Sequence, residues 1–362
     1  MDRNGSRRFF EDEPLLEATP AGQPEAPATP SARKAAPKAR WTKPLEWWGT
    51  RQLIRTLNLV GSVTPPHLLA PIGRSLGMAA FHGMRRYRTV ALNNLRIAYG
   101  DQWDETRIQE VARESFRHLG ITLVEFFLRQ PRVRGVQLEK EVRFEGQQHF
   151  EEAFRRGRGV IVVSAHYGNW EIMGPRLAHA GYTLTGVSRV ADDPGLERMI
   201  EKIRARDGLH QIPRRRAARD GLAALRRNEI LAILLDQNTA EGGVFVPFFG
   251  RPASTAMGPA VFALKTGAAI VPTFNVREAD GTHTMKAWPP ILPEPTGDRA
   301  SDVLKLTAEV TRVIELQIRE RPELWCWLHN RWKLQPTGAE AASLPPLPGA
   351  SEKGLDKCKP SD

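Results

Sequence analysis

One histidine and one acid set the first question. In the stretch VIVVSAHYGNWE, residues 160–171, an apolar run stops at Ser164, and His166 is followed five positions later by Glu171. On one continuous helix that spacing would put the two side chains on different faces. Across a strand-to-helix turn they can converge, with Gly168 allowing a tight turn and Asn169 placed to cap the helix that begins near Trp170. A neutral histidine oriented by a carboxylate is a general base, and it needs no serine if the nucleophile is a substrate hydroxyl. The same residues also read as a histidine satisfied in a turn beside a helix-capping glutamate, and the loose HxxxxE spacing alone favours that alternative.

Positioning weighs on the other side. Between residues 140 and 334 the chain alternates strand and helix patterns: VRFEG, then QQHFEEAFRRG; GVIVVSA, then NWEIMGPRLAHAG; TLTGVSR, then PGLERMIEKIRARDG; RDGLAALRRN, then EILAILLDQ; TAMGPAVFALKTG, then AAIVPTFNVRE; and a final long helix that starts at Ser301 and ends before Pro322. Fully apolar strands separated by amphipathic helices predict an α/β fold with a mixed, mostly parallel central sheet covered by helices. In such sheets chemistry sits beyond the carboxyl ends of the strands. His166, Arg189 and Asp236 all fall at strand ends.

Residues 41–130 are helical in pattern and amphipathic, and form the N-terminal helical region. Arg74, Arg85, Arg86, Arg88 and Arg96, with Trp41, Trp47 and Trp48, suit a membrane interface, or else a helical layer over the core. The uncharged stretch 56–73 carries Pro65, Pro66 and Pro71 and reads as interfacial, buried or re-entrant rather than spanning. The Pro/Ala-rich residues 1–40 and the tail 336–362 are expected to be disordered, leaving an α/β core over 131–335. No apolar leader is visible at the start of the chain.

The chain has 362 residues and a formal net charge of +11, which favours an anionic partner. Arg204 to Arg227 alone holds eight arginines against two aspartates, suited to an acidic carrier protein or a phosphorylated glycolipid. No nucleic-acid motif or interleaved stacking aromatics accompany this charge. Cys326 and Cys358 form no CxxC or Cys/His set, so a structural zinc is not expected, and a histidine base acting on a substrate hydroxyl requires no metal or bound organic cofactor. VPFFGRPAS, residues 246–254, reads as a turn-rich loop in which Arg251 is a candidate phosphate contact. WCWLHNRWK, residues 325–333, reads as an aromatic cluster around a core histidine, His329.

The ordered set AHYGNWE, LLDQ, VPFFGRPASTAMGPA and PELWCWLHNRWK, preceded by RRYRTVALNNLRIAYG, resembles the bacterial lipid A biosynthesis lauroyl and myristoyl acyltransferases, within the lysophospholipid and glycerolipid acyltransferase superfamily. The resemblance runs from about Leu53 to Lys333. It implies transfer of an acyl chain from an acyl carrier protein thioester, or acyl-CoA, to a hydroxyl of a Kdo-bearing lipid A precursor. It makes His166 the base and Glu171 its orienting partner. Asn169, Arg189, Asp236, Gln237 and Arg251 become substrate-binding candidates, with Arg189 serving the oxyanion or a phosphate and the Asp236–Gln237 pair positioning the acceptor. It also implies a monotopic or peripheral place on the cytoplasmic face of the bacterial inner membrane, against an anionic lipid surface. The sequence departs from the pattern at ADDPG after Arg189, where the family often has Asn-Pro, and in a weaker N-terminal hydrophobic anchor. A lysophospholipid or another glycolipid as acceptor, and a non-enzymatic basic peripheral membrane protein, are the competing readings.

Overall fold

Three helices lead into the sheet: α1 (Pro66–Gly83), α2 (Arg85–Tyr99) and α3 (Glu105–Leu128). The computed structural model describes residues 66–128, 136–240 and 242–337, with the isolated positions 48, 49, 52 and 56. The expected tail at 1–40, nearly all of the one from 336, and Trp41 and Trp47 lie outside the described residues. Pro66 starts α1, where its missing N–H costs nothing, and Pro71 forfeits one intrahelical bond without ending the helix. The proline-bearing stretch is therefore helical from Pro66 onward. α1 lies against α3 at backbone contact: a Cβ added to Gly77 would stand 2.2 Å from the Phe116 carbonyl oxygen. α3 buries Ile108, Val111, Ala112, Ser115, Phe116 and Thr122 along one stripe, the 3.6-residue period expected of a core-facing helix. Among the described residues no helix is long and apolar enough to cross a membrane.

Seven strands follow: β1 (Val142–Glu145), β2 (Val160–Ser164), β3 (Leu184–Ser188), β4 (Leu209–Pro213), β5 (Ile230–Leu234), β8 (Ala269–Arg277) and β9 (His283–Ala287). They form one sheet in the order β1-β9-β8-β2-β5-β3-β4, parallel throughout except for the antiparallel β8–β9 pair. The expected mixed, mostly parallel sheet is present. β2 lies between β8 and β5 with every residue buried, which is why it reads as an unbroken apolar run. Alternate side chains serve different cores. Ile161 and Val163 join Leu95, Phe116, Leu231 and Ile270 on one face, and Val160 and Val162 join Phe150, Leu177 and Ile230 on the other.

Helices α4 (Val136–Glu141), α5 (Gln147–Arg155), α6 (Met173–His179), α7 (Pro194–Arg206), α8 (Ala217–Arg226), α9 (Gly258–Thr266) and α10 (Arg299–Glu320) complete the described fold. Asp193 caps α7 by accepting from the Gly195 N–H, and Asp298 caps α10 in the same manner. The helix expected from Asn169 begins as a single 3₁₀ turn, Trp170–Ile172, before α6.

Four strands were not legible. β4 lies inside the arginine-rich segment, and β9 is a short mixed-polarity return strand. The turn-rich 246–254 stretch is a hairpin, β6 (Gly243–Phe248) with β7 (Arg251–Ala256). Phe249 and Gly250 both take positive φ, 51° and 68°, the geometry of a two-residue hairpin turn. A phenylalanine in the left-handed region is not anticipated from sequence, and it hid the hairpin.

Candidate active site

Register builds the centre of the site. β2 and β5 are adjacent and parallel with Ser164 opposite Leu234, so the residues two positions beyond, His166 and Asp236, emerge level at the carboxyl edge. His166 Nδ1 lies 2.9 Å from Asp236 Oδ1, and the His166 backbone N–H donates to Oδ2, also at 2.9 Å. Trp325 Nε1 donates to the same Oδ2 at 2.8 Å. The Asp236 side chain is 2 % exposed, whereas that of His166 is 24 % exposed and reachable. Burial opposes both charges, yet the pair overcomes it: the Asp236 charge and hydrogen bond hold the His166 imidazole above its usual 6.5, and Asp236 falls to about 2. With Nδ1–H given to Asp236, Nε2 is the basic nitrogen of the neutral ring.

The loop that carries His166 is clamped from two directions. Cys326 N–H donates to the His166 carbonyl and Gly168 N–H to the Leu324 carbonyl, both at 2.9 Å. The Ser115 hydroxyl on α3 binds the Trp325 carbonyl, and Asn94 on α2 binds those of Trp327 and His329. Gly168 has φ +55°, and a Cβ there would stand 1.8 Å from the Asn275 carbonyl oxygen, so the turn rests on the β8 backbone.

Glu171 does not orient the ring in this structure. Its carboxylate takes a forked pair of bonds from Arg204 of α7, Nη2 to Oε1 at 2.6 Å and Nε to Oε2 at 3.1 Å, and a third from Trp170 Nε1. The orienting role assigned to it is filled by Asp236, which strand register delivers more closely than the 3₁₀ turn delivers Glu171. Glu171 still acts on His166 through space, raising its pKa, while Arg204 lowers it.

The remaining candidates divide. Asp236, expected at the acceptor, is buried with its oxygens on His166 and Trp325. Gln237 is exposed beside the ring, its Nε2 3.5 Å from His166 Nδ1, too long for a strong bond. Asn169 makes no capping bond and is 2 % exposed. Its Nδ2 donates to Glu125, which Arg277 grips at 2.6 and 2.7 Å, and its N–H reaches Asn275 Oδ1, which also meets His283 Nδ1. It thus ties the motif turn to a buried ionic cluster. Arg189 is exposed at the end of β3, 3.5 Å from Asp192. Arg251 lines a shallow notch with Ile97, Pro252, Trp332 and Gln335, a group that excludes His166.

His329 Nε2 accepts the Asn238 N–H at 2.9 Å, and burial lowers its pKa, so it is a neutral structural histidine. Burial pushes the Cys326 thiol up to about 12, which keeps it protonated and a poor nucleophile. Among the described residues no three His, Cys, Asp or Glu side chains converge as a metal site would need.

Trp325, Arg204 and the Glu125–Arg277 pair escaped the sequence reading. Trp325 was visible only within the aromatic segment 325–333 and Arg204 only within the arginine-rich segment 204–227, and neither pattern gave a hint of its partner.

A reachable imidazole backed by a buried carboxylate stands at the carboxyl edge of the sheet, where enzymes of the α/β class carry their chemistry. The family model for bacterial lipid A biosynthesis acyltransferases matches residues 38–334, and the chain belongs to that family. It is an acyltransferase. It is 29% identical over 300 residues to the lipid A biosynthesis palmitoleoyltransferase of Escherichia coli, covering 81% of this chain and 92% of the relative. The lauroyltransferase of the same organism is 26% identical over 297 residues, 81% and 94% of the two chains. A phosphatidylinositol mannoside acyltransferase of Mycobacterium tuberculosis is 26% identical over 203 residues, 55% and 62%.

Proposed function

We propose that this acyltransferase moves a fatty acyl chain from an acyl carrier protein thioester to a hydroxyl of a Kdo-bearing lipid A precursor, with His166 as general base. The observation that carries the base assignment is the Asp236–His166 hydrogen bond, with Trp325 on the other carboxylate oxygen. His166 Nε2 takes the hydroxyl proton as the acceptor oxygen attacks the thioester carbonyl. The tetrahedral intermediate then collapses, the C–S bond breaks, and the imidazolium returns its proton to the departing thiolate. An ester and a free thiol result. Asp236 holds the tautomer and stabilises the imidazolium, and Glu171 adds negative potential from its Arg204-bound position.

The names of the Escherichia coli relatives favour a lipid A acceptor, and the mycobacterial relative's name keeps another glycolipid as the alternative. Peripheral attachment to the cytoplasmic face of the inner membrane fits the exposed Leu68, Leu76 and Tyr87 on α1 and α2, and Met84 between them, with Arg74, Arg85 and Arg86 on the same two helices. The test is incubation of detergent-purified protein with carrier thioester and a tetraacylated Kdo-lipid A precursor, read by mass spectrometry. One added acyl chain, lost in His166→Ala, is the expected result. Transfer to lysolipids or other glycolipids instead would redirect the function, and no thioester consumption with any acceptor would remove the enzymatic reading.

A further inference from the structure

One basic surface is not absorbed by the catalytic centre, and it lies on the same edge of the sheet. Ser188 of β3 stands opposite Pro213 of β4, so Arg189 and Arg214 leave adjacent strands side by side. Arg214 to Arg216 form a 3₁₀ turn that leads into α8, and all three are exposed. Arg214 Nη2 donates to the Thr239 hydroxyl at 3.1 Å, which ties this turn to the loop that begins at Asp236. Arg219, one helical turn on, has its side chain 85 % exposed. These five arginines face two aspartates, Asp192 near Arg189 and Asp220 shared by Arg216 and Arg219. Three other arginines of the segment are spent elsewhere: Arg204 on Glu171, Arg206 on Asp207 and Arg227 on Glu229.

Distance and polarity narrow the occupant. The sheet order β2-β5-β3-β4 puts the patch two to three strand spacings from His166, about 10–14 Å along the edge. A donor whose thioester sits at His166 while its anionic end sits on the arginines needs an extended arm between the two. A pantetheine-type arm, thiol at one end and phosphodiester at the other, has that form. A lipid would also bring acyl chains needing apolar cover, and among the described residues Val190 is the one exposed large apolar side chain of that strand end; Leu68, Leu76 and Leu123 are on α1 and α3. A hydrophilic, strongly positive surface fits a soluble acidic protein.

We propose that Arg189, Arg214, Arg215, Arg216 and Arg219 form the docking surface for an acidic acyl carrier protein, with the phosphodiester of its arm at Arg189 and Arg214. This rests on the carrier-thioester reading of the donor. The test uses the full chain and an Arg215→Glu/Arg219→Glu double variant, both exposed positions, with circular dichroism to check the fold and an Arg215→Lys/Arg219→Lys variant as the charge-conserving control. Binding of carrier protein loaded with a non-hydrolysable acyl-thioether arm is measured at low and high salt. Turnover is compared between carrier thioester and acyl-N-acetylcysteamine, a small uncharged donor. The expected result is carrier binding weakened by about tenfold or more at low salt, a flattened salt dependence, a matching fall in the preference for carrier over small thioester, and retention of binding in the lysine variant. Wild-type-like carrier binding in the double-glutamate variant overturns the docking surface alone. Equal loss with both donors, or a raised KM for the lipid acceptor only, overturns it in favour of a structural or acceptor role. No carrier binding by the wild type at any salt overturns the donor reading and the docking surface together.

Discussion

Trp325 Nε1 donates to Asp236 Oδ2 at 2.8 Å, the oxygen that also accepts the His166 backbone N–H. An aromatic side chain from the last described segment thus completes a pair made by two central strands. Both oxygens of Asp236 are engaged, and its carboxylate stays ionised at about pKa 2 despite burial. That negative charge keeps the imidazole above 6.5.

Asp236→Asn is expected to lower kcat/KM by about 10²–10⁴-fold, the usual worth of an oriented general base. The direction with pH follows from the base being active when neutral. In the wild type, activity falls as pH drops through a value above 6.5. In Asp236→Asn burial is less opposed, so the residual activity should persist to lower pH. A pH profile of kcat/KM for both proteins checks this; an unmoved acid limb would dismiss Asp236 as the controlling charge.

Glu171 and Arg204 should shift the same limb in opposite senses. Glu171 raises the His166 pKa and Arg204 lowers it, so Glu171→Gln moves the acid limb down and Arg204→Gln moves it up. Each change also breaks a forked ion pair whose side chains are 15 % and 21 % exposed, at about 1–3 kcal/mol of stability. Parallel pH profiles and urea titrations separate the two effects. Glu171→Gln matching Asp236→Asn in both size and direction would restore Glu171 as the orienting residue.

Gly168→Ala is expected to destabilise by more than about 4 kcal/mol, because the new Cβ would stand 1.8 Å from a backbone oxygen at a left-handed φ. Gly157 has a similar φ, +64°, but open space around it, so Gly157→Ala should cost only about 1–2 kcal/mol. Denaturant midpoints of the two variants measure the difference.

Cys326→Ala should retain acyl transfer, since a thiol at about 12 is not the nucleophile at neutral pH. Intact-protein mass spectrometry during turnover should show no acyl-enzyme on Cys326. A trapped acyl adduct there would replace direct transfer with a two-step mechanism.

Much of the scaffold is legible because burial on both faces leaves a plain mark. The apolar runs at 160–163 and 230–235 could be little else than central parallel strands, and the residues after them had to emerge at the carboxyl edge. The hairpin at 243–256 was not legible. Its turn depends on Phe249 adopting a left-handed φ, held there by contacts with Tyr99, Phe248, Trp327 and Trp332.

The sequence by itself determined that His166 stands at the end of a buried strand, with Glu171 as its expected partner and Asp236 at another strand end, expected at the acceptor. Which acid touches the ring was decided by tertiary structure. Glu171 is near in sequence, but Gly168 and the 3₁₀ turn send its carboxylate to Arg204. Asp236, 70 positions away, reaches Nδ1 because strand register levels it with His166 and Trp325 holds its second oxygen. A hydrogen bond needs ångström placement, and that precision comes from register and packing between distant segments, which spacing along the chain does not carry.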